Sequence, residues 1–174
     1  MENNSSTSQK ARAFIASLPE EVLGKANKNR HDDGFSDEIL PFDLYRNTRQ
    51  NIESVANQIN KSFYYEIYDG CAVLMRRLIE MLLILSYKEH KIESDIRGNN
   101  GNYINLSGII DKAVVNTTLD LTMNAKEYLD IFREKGNLSA HNPFHNARKK
   151  DIELVQPKFR HLVEELFYKC GIFK

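Results

Sequence analysis

The stretch Cys71-Ala72-Val73-Leu74-Met75-Arg76-Arg77-Leu78-Ile79-Glu80 decides the fold of this chain. It lies in a segment, residues 66–88, where apolar side chains recur three and four positions apart: Ile67, Cys71, Leu74, Leu78, Met81 and Leu85. That spacing places them on one face of an α-helix and is typical of helix bundles. Other apolar side chains fall elsewhere around the same helix. We therefore predict a central helix that is covered on more than one side.

Helical spacing of apolar side chains recurs on both sides of this segment. We predict further helices at residues 48–63, 104–115, 124–135 and 147–170. Pro157 lies inside the last of them and should bend that helix or delay its start. No long segment alternates apolar and polar side chains as a strand does. The expected fold class is an all-α helix bundle.

The first 63 residues are interpreted as an N-terminal extension to a helical domain at residues 64–174. The extension opens with a polar start rich in Ser and Asn, which we expect to be disordered. A short amphipathic helix is expected at residues 9–23. An irregular arm at residues 24–46 should follow it and pack through a few scattered apolar side chains.

Composition limits the functional classes. The chain has 24 basic and 24 acidic side chains, so its formal net charge is zero. A general nucleic-acid coat protein would carry a basic surplus, so any nucleic-acid binding must come from a local patch. Two cysteines, Cys71 and Cys170, provide neither a disulfide framework nor a thiolate metal cluster. No hydrophobic signal region opens the chain, and its most apolar run is too short for a bilayer. We expect a cytoplasmic protein with no membrane partner.

A local basic segment follows the helix predicted at residues 124–135. That helix should end at Gly136, a residue suited to a left-handed cap, which would leave Asn137 and His141 in a short polar corner. Residues 136–150 contain no acidic side chain, although acids and bases balance over the whole chain. This concentration of positive charge and imidazole predicts a binding site for an anion.

His141 and His145 are four positions apart, a spacing at which two histidines on one helix can bind a metal. Pro143 lies between them and disfavours a continuous helix, and no third ligand is near in the sequence. We therefore predict no metal and no cofactor. His141 then has two interpretations. It is either a buried polar residue bonded to a helix end or a general acid–base group, since imidazole titrates near neutrality.

Two clusters of charged side chains also have two interpretations each. On the central helix Arg77 and Glu80 are three positions apart, so they form either a structural ion pair or a phosphate site that includes Arg76. The basic run at residues 148–150 is either a solvated surface or a contact for a bound anion. Positive charges at a helix N-terminus oppose the helix dipole, whereas Asp151 supplies the first-turn acid that helix stability favours.

The central stretch at residues 71–80, the later motif Arg133-x-x-Gly136-Asn137-x-x-Ala140-His141 and the long final helix together resemble the HEPN superfamily. The most similar branch comprises HEPN-like domains found alone or attached to restriction and other prokaryotic defence proteins. The resemblance covers residues 64–172. In the catalytic motif of the family an Arg stands closer to the His, whereas here seven residues separate Arg133 from His141.

This resemblance implies an all-α, HEPN-like bundle of four to five helices that forms a homodimer, binds RNA or a nucleotide and acts in host defence. In catalytic members an Arg and a His from each subunit meet at the interface and cleave single-stranded RNA without metal. The implied catalytic residues are His141 and Arg133, and the activity would be that of a metal-independent ribonuclease. The implied binding residues are Asn137, Arg76, Arg77, Glu80, Arg148 and Lys149. The alternative is a non-catalytic dimerisation or protein-interaction module with no nuclease activity.

Overall fold

The computed structural model describes residues 38–141 and 146–173, and for residues 135–141 it describes the backbone alone. All of these residues belong to one compact unit. They form six α-helices: α1 (Phe42–Tyr45), α2 (Gln50–Tyr64), α3 (Tyr68–Glu89), α4 (Leu106–Val115), α5 (Met123–His141) and α6 (Lys149–Lys169). A short 3₁₀ helix, Glu93–Ile96, follows α3, and no strand occurs in the described residues. The all-α fold class is confirmed.

Helix α3 is the centre of the bundle and packs against α2, α4, α5 and α6. Its buried side chains come in adjacent pairs about one turn or two apart, as with Leu78 and Ile79 or Leu82 and Leu83. Each adjacent pair widens the buried face of the helix beyond a narrow stripe. The predicted burial of this helix on more than one side is therefore confirmed.

Helix α2 shares this core, because its apolar face is buried against α3. The chain just before α1 is fixed to the same helix by Asn60, whose Oδ1 accepts from the Leu40 main-chain N–H at 3.0 Å. Its Nδ2 donates to the Leu40 carbonyl oxygen at 2.8 Å. Ile39 and Leu40 are fully buried, as expected for an arm that packs through a few apolar side chains.

The predicted boundary at residues 63 and 64 therefore lies inside one packed core, since α2 and the arm from residue 38 pack with the helices that follow. The start of the resemblance to the HEPN superfamily at residue 64 stays a prediction. The helix expected at residues 9–23 and the earlier part of the arm lie outside the described residues.

Helix α6 runs without interruption through Pro157 and begins at Lys149, so Pro157 does not delay its start, and the alternative of a bend stays a prediction. A proline in the interior of a helix removes one main-chain hydrogen-bond donor. Buried apolar side chains on both sides of it, Val155 and Phe159, keep the helix against the core. One turn further, Arg160 donates from Nε to the Ile39 carbonyl oxygen at 2.8 Å and so holds the arm against α6.

Helix α5 is longer than the sequence predicted. It continues through Gly136 and ends at His141, so the predicted cap at Gly136 and the polar corner after it are wrong. One glycine inside a helix costs only about 1 kcal/mol. The sequence contains a stronger helix stop only at Pro143, because a proline disfavours helical conformation in the residue before it. The chain can therefore remain helical up to His141.

Candidate functional site

The extended α5 helix changes the geometry of the predicted catalytic residues. Arg133, Asn137 and His141 are four positions apart along one helix, so their positions share one face. The side chains of Asn137 and His141 lie outside the described residues, as does the whole of His145. Their predicted roles remain predictions.

Arg133 is the predicted catalytic arginine, and its guanidinium is held between two carboxylates. Nη1 lies 3.0 Å from Oδ1 of Asp111 on α4, and Nη2 lies 2.9 Å from Oδ1 of Asp130 on its own helix. The arginine side chain is only 27% exposed. Its positive charge is therefore balanced by two carboxylates, and the contact with Asp111 joins α4 to α5.

Arg76 and Arg77 are neighbours on α3 but have different surroundings. Arg76 is half-buried and donates from Nη1 to the main-chain carbonyl oxygen of Arg133 at 3.0 Å. Arg77 points to solvent. No salt bridge joins Arg77 to Glu80 within the described part of the chain, so the predicted structural ion pair is wrong. The structure brings Arg76 to Arg133 and leaves Arg77 on the surface.

The basic run lies at the N-terminus of α6. Arg148 is the N-cap, and its main-chain N–H donates to Asp151 Oδ2 at 3.0 Å. The predicted role of Asp151 as the first-turn acid is confirmed. Lys149 lies 3.6 Å from Glu153 Oε1. The side chains of Arg148, Lys149 and Lys150 are all exposed.

This end of α6 lies beside the junction between α2 and α3. The main-chain N–H of Ala147 donates to Oδ1 of Asp69, in the first turn of α3, at 3.0 Å. The ammonium of Lys149 lies 5.8 Å from the ring centroid of Phe63, near the end of α2. Burial, followed by the negative charge of Glu66, raises the pKa of Tyr68, and the charge of Lys149 partly opposes that shift. The basic run and the junction therefore form one continuous surface.

The junction carries exposed apolar side chains that the sequence analysis did not select. Tyr64 and Tyr65 are each 58% exposed, and Ile67 is 57% exposed. We call these three residues the aromatic corner. A sequence signal was present, because successive residues on a helix are separated by about 100°. A run such as Phe63-Tyr64-Tyr65 therefore cannot bury all its rings on one side.

A second polar cluster closes the loop after the 3₁₀ helix. The carboxylate of Glu93 accepts from the Tyr103 hydroxyl and lies 2.7 Å from Nη2 of Arg97. Nζ of Lys88 lies 3.7 Å from the same carboxylate oxygen. The tyrosine hydrogen bond, followed by the arginine, holds the pKa of Glu93 below its usual 4.5. These contacts fix the loop between α3 and α4.

Neither cysteine is suited to nucleophilic chemistry. Both are buried, and burial raises the pKa of the Cys71 thiol to about 12 and that of Cys170 in the same direction. A thiol that stays protonated near neutral pH is a poor nucleophile and metal ligand. Among the described side chains no group of three or more His, Cys, Asp or Glu residues could hold a metal ion. No described helix has the length and apolar character needed to cross a bilayer.

No family model, curated protein or solved structure matches this chain. The resemblance to the HEPN superfamily therefore rests on the quoted motifs and stays a prediction.

Proposed function

We propose that this protein is a HEPN-like helical domain that binds RNA through the cations at the start of α6. The observation that carries the proposal is the placement of Arg148 and Lys150. Both are exposed at the N-terminus of a long helix, and neither has a carboxylate partner among the described residues. The helix dipole disfavours positive charge there, whereas a phosphate would be attracted by both the cations and the positive end of the helix dipole.

The proposed activity is binding, without a catalytic role for Arg133. Its guanidinium already has two carboxylate partners, Asp111 and Asp130. A scissile phosphate would have to displace at least one of them before the arginine could stabilise the transition state. Arg76 is similarly committed to a main-chain carbonyl oxygen. In this proposal both arginines support the bundle.

Salt dependence of RNA affinity tests the proposal. Affinity for a labelled single-stranded RNA would be measured by fluorescence anisotropy across a series of salt concentrations. The double variant Arg148→Gln/Lys150→Gln should bind more weakly, and its slope of log affinity against log salt should fall by about two. The control Lys91→Gln/Lys112→Gln removes two exposed cations elsewhere and should keep the wild-type slope. A wild-type protein with no salt-dependent RNA affinity would contradict the proposal.

Cleavage assays separate binding from catalysis. RNA incubated with the wild-type protein in the presence of a metal chelator should remain intact. Cleavage that disappears in both Arg133→Gln and His141→Ala, with folding intact, would restore the ribonuclease interpretation. His141 is included because an imidazole is the expected proton-transfer group of a metal-independent reaction.

A second candidate function, homodimerisation, is favoured by one face of α3. Val73 is 38% exposed and Arg77 points to solvent, while Glu80 and Ile84 continue the same face half-buried. In an antiparallel two-fold pairing Arg77 would meet Glu80 of the partner subunit, and the reverse contact would follow by symmetry. Such a face is complementary to itself.

Charge reversal tests this second candidate. Sedimentation velocity should show a wild-type dimer, a monomeric Arg77→Glu variant and a restored dimer for Arg77→Glu/Glu80→Arg. The variant Lys112→Glu reverses an exposed charge on α4 and should leave the dimer intact. A wild-type monomer at high concentration would eliminate homodimerisation through this face.

A further inference from the structure

The aromatic corner differs from ordinary scattered surface apolar residues. Single exposed apolar side chains are common on proteins and need no explanation. Here three of four consecutive residues, at positions 64, 65 and 67, are each more than half exposed. The preceding residue, Phe63, is buried, so the junction packs one of its aromatic rings into the core and leaves the next two exposed.

The backbone of the corner is well defined, so the exposure is built into the fold. The main-chain N–H of Tyr65 donates to the Lys61 carbonyl oxygen at 2.9 Å, and that of Ile67 donates to Ser62 at 2.8 Å. Glu66 between them adopts a left-handed conformation with φ of 61°. This reversal turns the chain from α2 into α3 and directs the side chains on either side of it outward.

The two tyrosines are held as a pair. Their ring centroids are 5.1 Å apart and their planes are inclined by 78°. Edge-to-face packing of this kind restrains both rings without burying them. Restrained aromatic rings lose little conformational entropy when a planar ligand stacks on them.

The start of α6 lies beside the junction that carries this pair, since Nζ of Lys149 is 5.8 Å from the ring centroid of Phe63. The acids nearest the start of α6 are each engaged locally: Asp69 by the Ala147 N–H, Asp151 by the Arg148 N–H, and Glu153 by Lys149. Glu66, in the corner itself, is an exposed acid and opposes an anionic ligand. The exposed cations of the basic run oppose it, and two of them, Arg148 and Lys150, have no carboxylate partner among the described residues.

We infer that the aromatic corner is a stacking platform for unpaired bases of single-stranded RNA, whose backbone follows the cations at the start of α6. The inference rests on the proposed RNA binding and adds the position and kind of base contact. Stacking on aromatic rings beside a basic groove is how proteins hold single strands without reading their sequence. Bases within a duplex are not available for such stacking. Tyrosine rings next to uncompensated cations fit this ligand better than an apolar protein surface does.

The experiment compares two matched pairs of variants in the full chain. Affinity for a single-stranded RNA and for a duplex of the same length would be measured by fluorescence anisotropy. Tyr64→Ala/Tyr65→Ala should weaken single-strand binding at least about tenfold, and Tyr64→Phe/Tyr65→Phe should retain it, because phenylalanine keeps the stacking face. Tyr168→Ala removes a tyrosine that is 57% exposed elsewhere on α6 and should bind as the wild type does.

The outcomes separate this inference from the proposed function. Wild-type protein that binds no RNA overturns both. Binding that depends on Arg148 and Lys150 but is unchanged in the alanine pair overturns the stacking platform and leaves the proposed function in place. Equal affinity for duplex and single strand also overturns the platform. Loss of binding in the phenylalanine pair as well as in the alanine pair would overturn it too, because stacking does not require the hydroxyl groups.

Discussion

Nη1 of Arg76 donates a hydrogen bond to the main-chain carbonyl oxygen of Arg133, 3.0 Å away. The bond joins the central helix α3 to α5 at the residue that the sequence had marked as catalytic. The side chain of Arg133 in turn reaches Asp111 on α4. Two arginines that were predicted to contact RNA therefore connect three helices of the bundle.

Replacement of Arg76 should destabilise the protein, whereas replacement of its neighbour should not. We expect Arg76→Ala to lower the free energy of unfolding by about 2 kcal/mol, since it removes a charged hydrogen bond and the packing of a long aliphatic stem. Arg77→Ala changes an exposed side chain and should stay within about 0.5 kcal/mol. Urea unfolding of dilute protein measures both. Equal losses would show that the Arg76 hydrogen bond contributes nothing specific.

Asn60 should be among the most sensitive polar positions in the described core. It is buried, and its amide pairs with both main-chain groups of Leu40. Asn60→Ala would leave a buried donor and a buried acceptor without partners, so we expect a loss of about 3 kcal/mol in thermal or urea unfolding. Asn57→Ala removes only a half-buried acceptor for the Tyr45 hydroxyl and should cost about 1 kcal/mol. A cost for Asn60→Ala no greater than for Asn57→Ala would contradict this account.

Tyr87 offers a substitution that should stabilise the protein. Its side chain is fully buried, and its hydroxyl has no hydrogen-bond partner among the residues that the structure describes. Burial, with a smaller contribution from Asp95, raises the pKa of this hydroxyl to about 12. Tyr87→Phe removes an unsatisfied polar atom and should raise the free energy of unfolding by about 1 kcal/mol.

Tyr45→Phe is the matched control for that substitution. The Tyr45 hydroxyl donates to Asn57 at 3.0 Å, so its removal should destabilise the protein by about 1 kcal/mol. Differential scanning calorimetry of the two variants should give melting shifts of opposite sign. A decrease in melting temperature for both would show that the Tyr87 hydroxyl has an important interaction of its own.

The cluster around Glu93 should make stability depend on pH in the acid range. The pKa of Glu93 is lowered, first by the Tyr103 hydrogen bond, so its folded-state value lies below its unfolded one. Such a group contributes stability that is fully present above the unfolded pKa and is lost as pH falls through the folded pKa. Glu93→Gln should therefore melt below the wild type near neutral pH, and the difference should shrink as the pH falls below the ordinary carboxyl value of 4.5.

Glu164→Gln provides the control for the pH experiment. Glu164 is an exposed acid on α6 without an ion pair among the described residues. Its difference from the wild type should stay small and constant across the same pH series. A Glu93→Gln difference that is also constant with pH would mean that the acid form of Glu93 is as well accommodated as the carboxylate.

Helical periodicity was sufficient to predict the elements that bury a continuous apolar face. The expected central helix at residues 66–88 is observed at Tyr68–Glu89, and that at residues 48–63 is observed at Gln50–Tyr64. The sequence pattern predicted too early an end for α5, because it treats Gly136 as the residue that ends the helix. A single glycine weakens a helix only slightly, whereas tertiary contacts along the preceding turns can hold it in place.

The amino-acid sequence by itself determined the class of this protein: an all-α bundle around the helix that contains Arg76 and Arg77, with a basic run at the start of α6. Those features depend on spacing along one chain, which can be read without neighbours. Only the tertiary structure decided what each charge and ring faces. The pairing of Arg133 with Asp111 and the approach of Lys149 to Phe63 are relations between separate helices, and local periodicity contains no information about them.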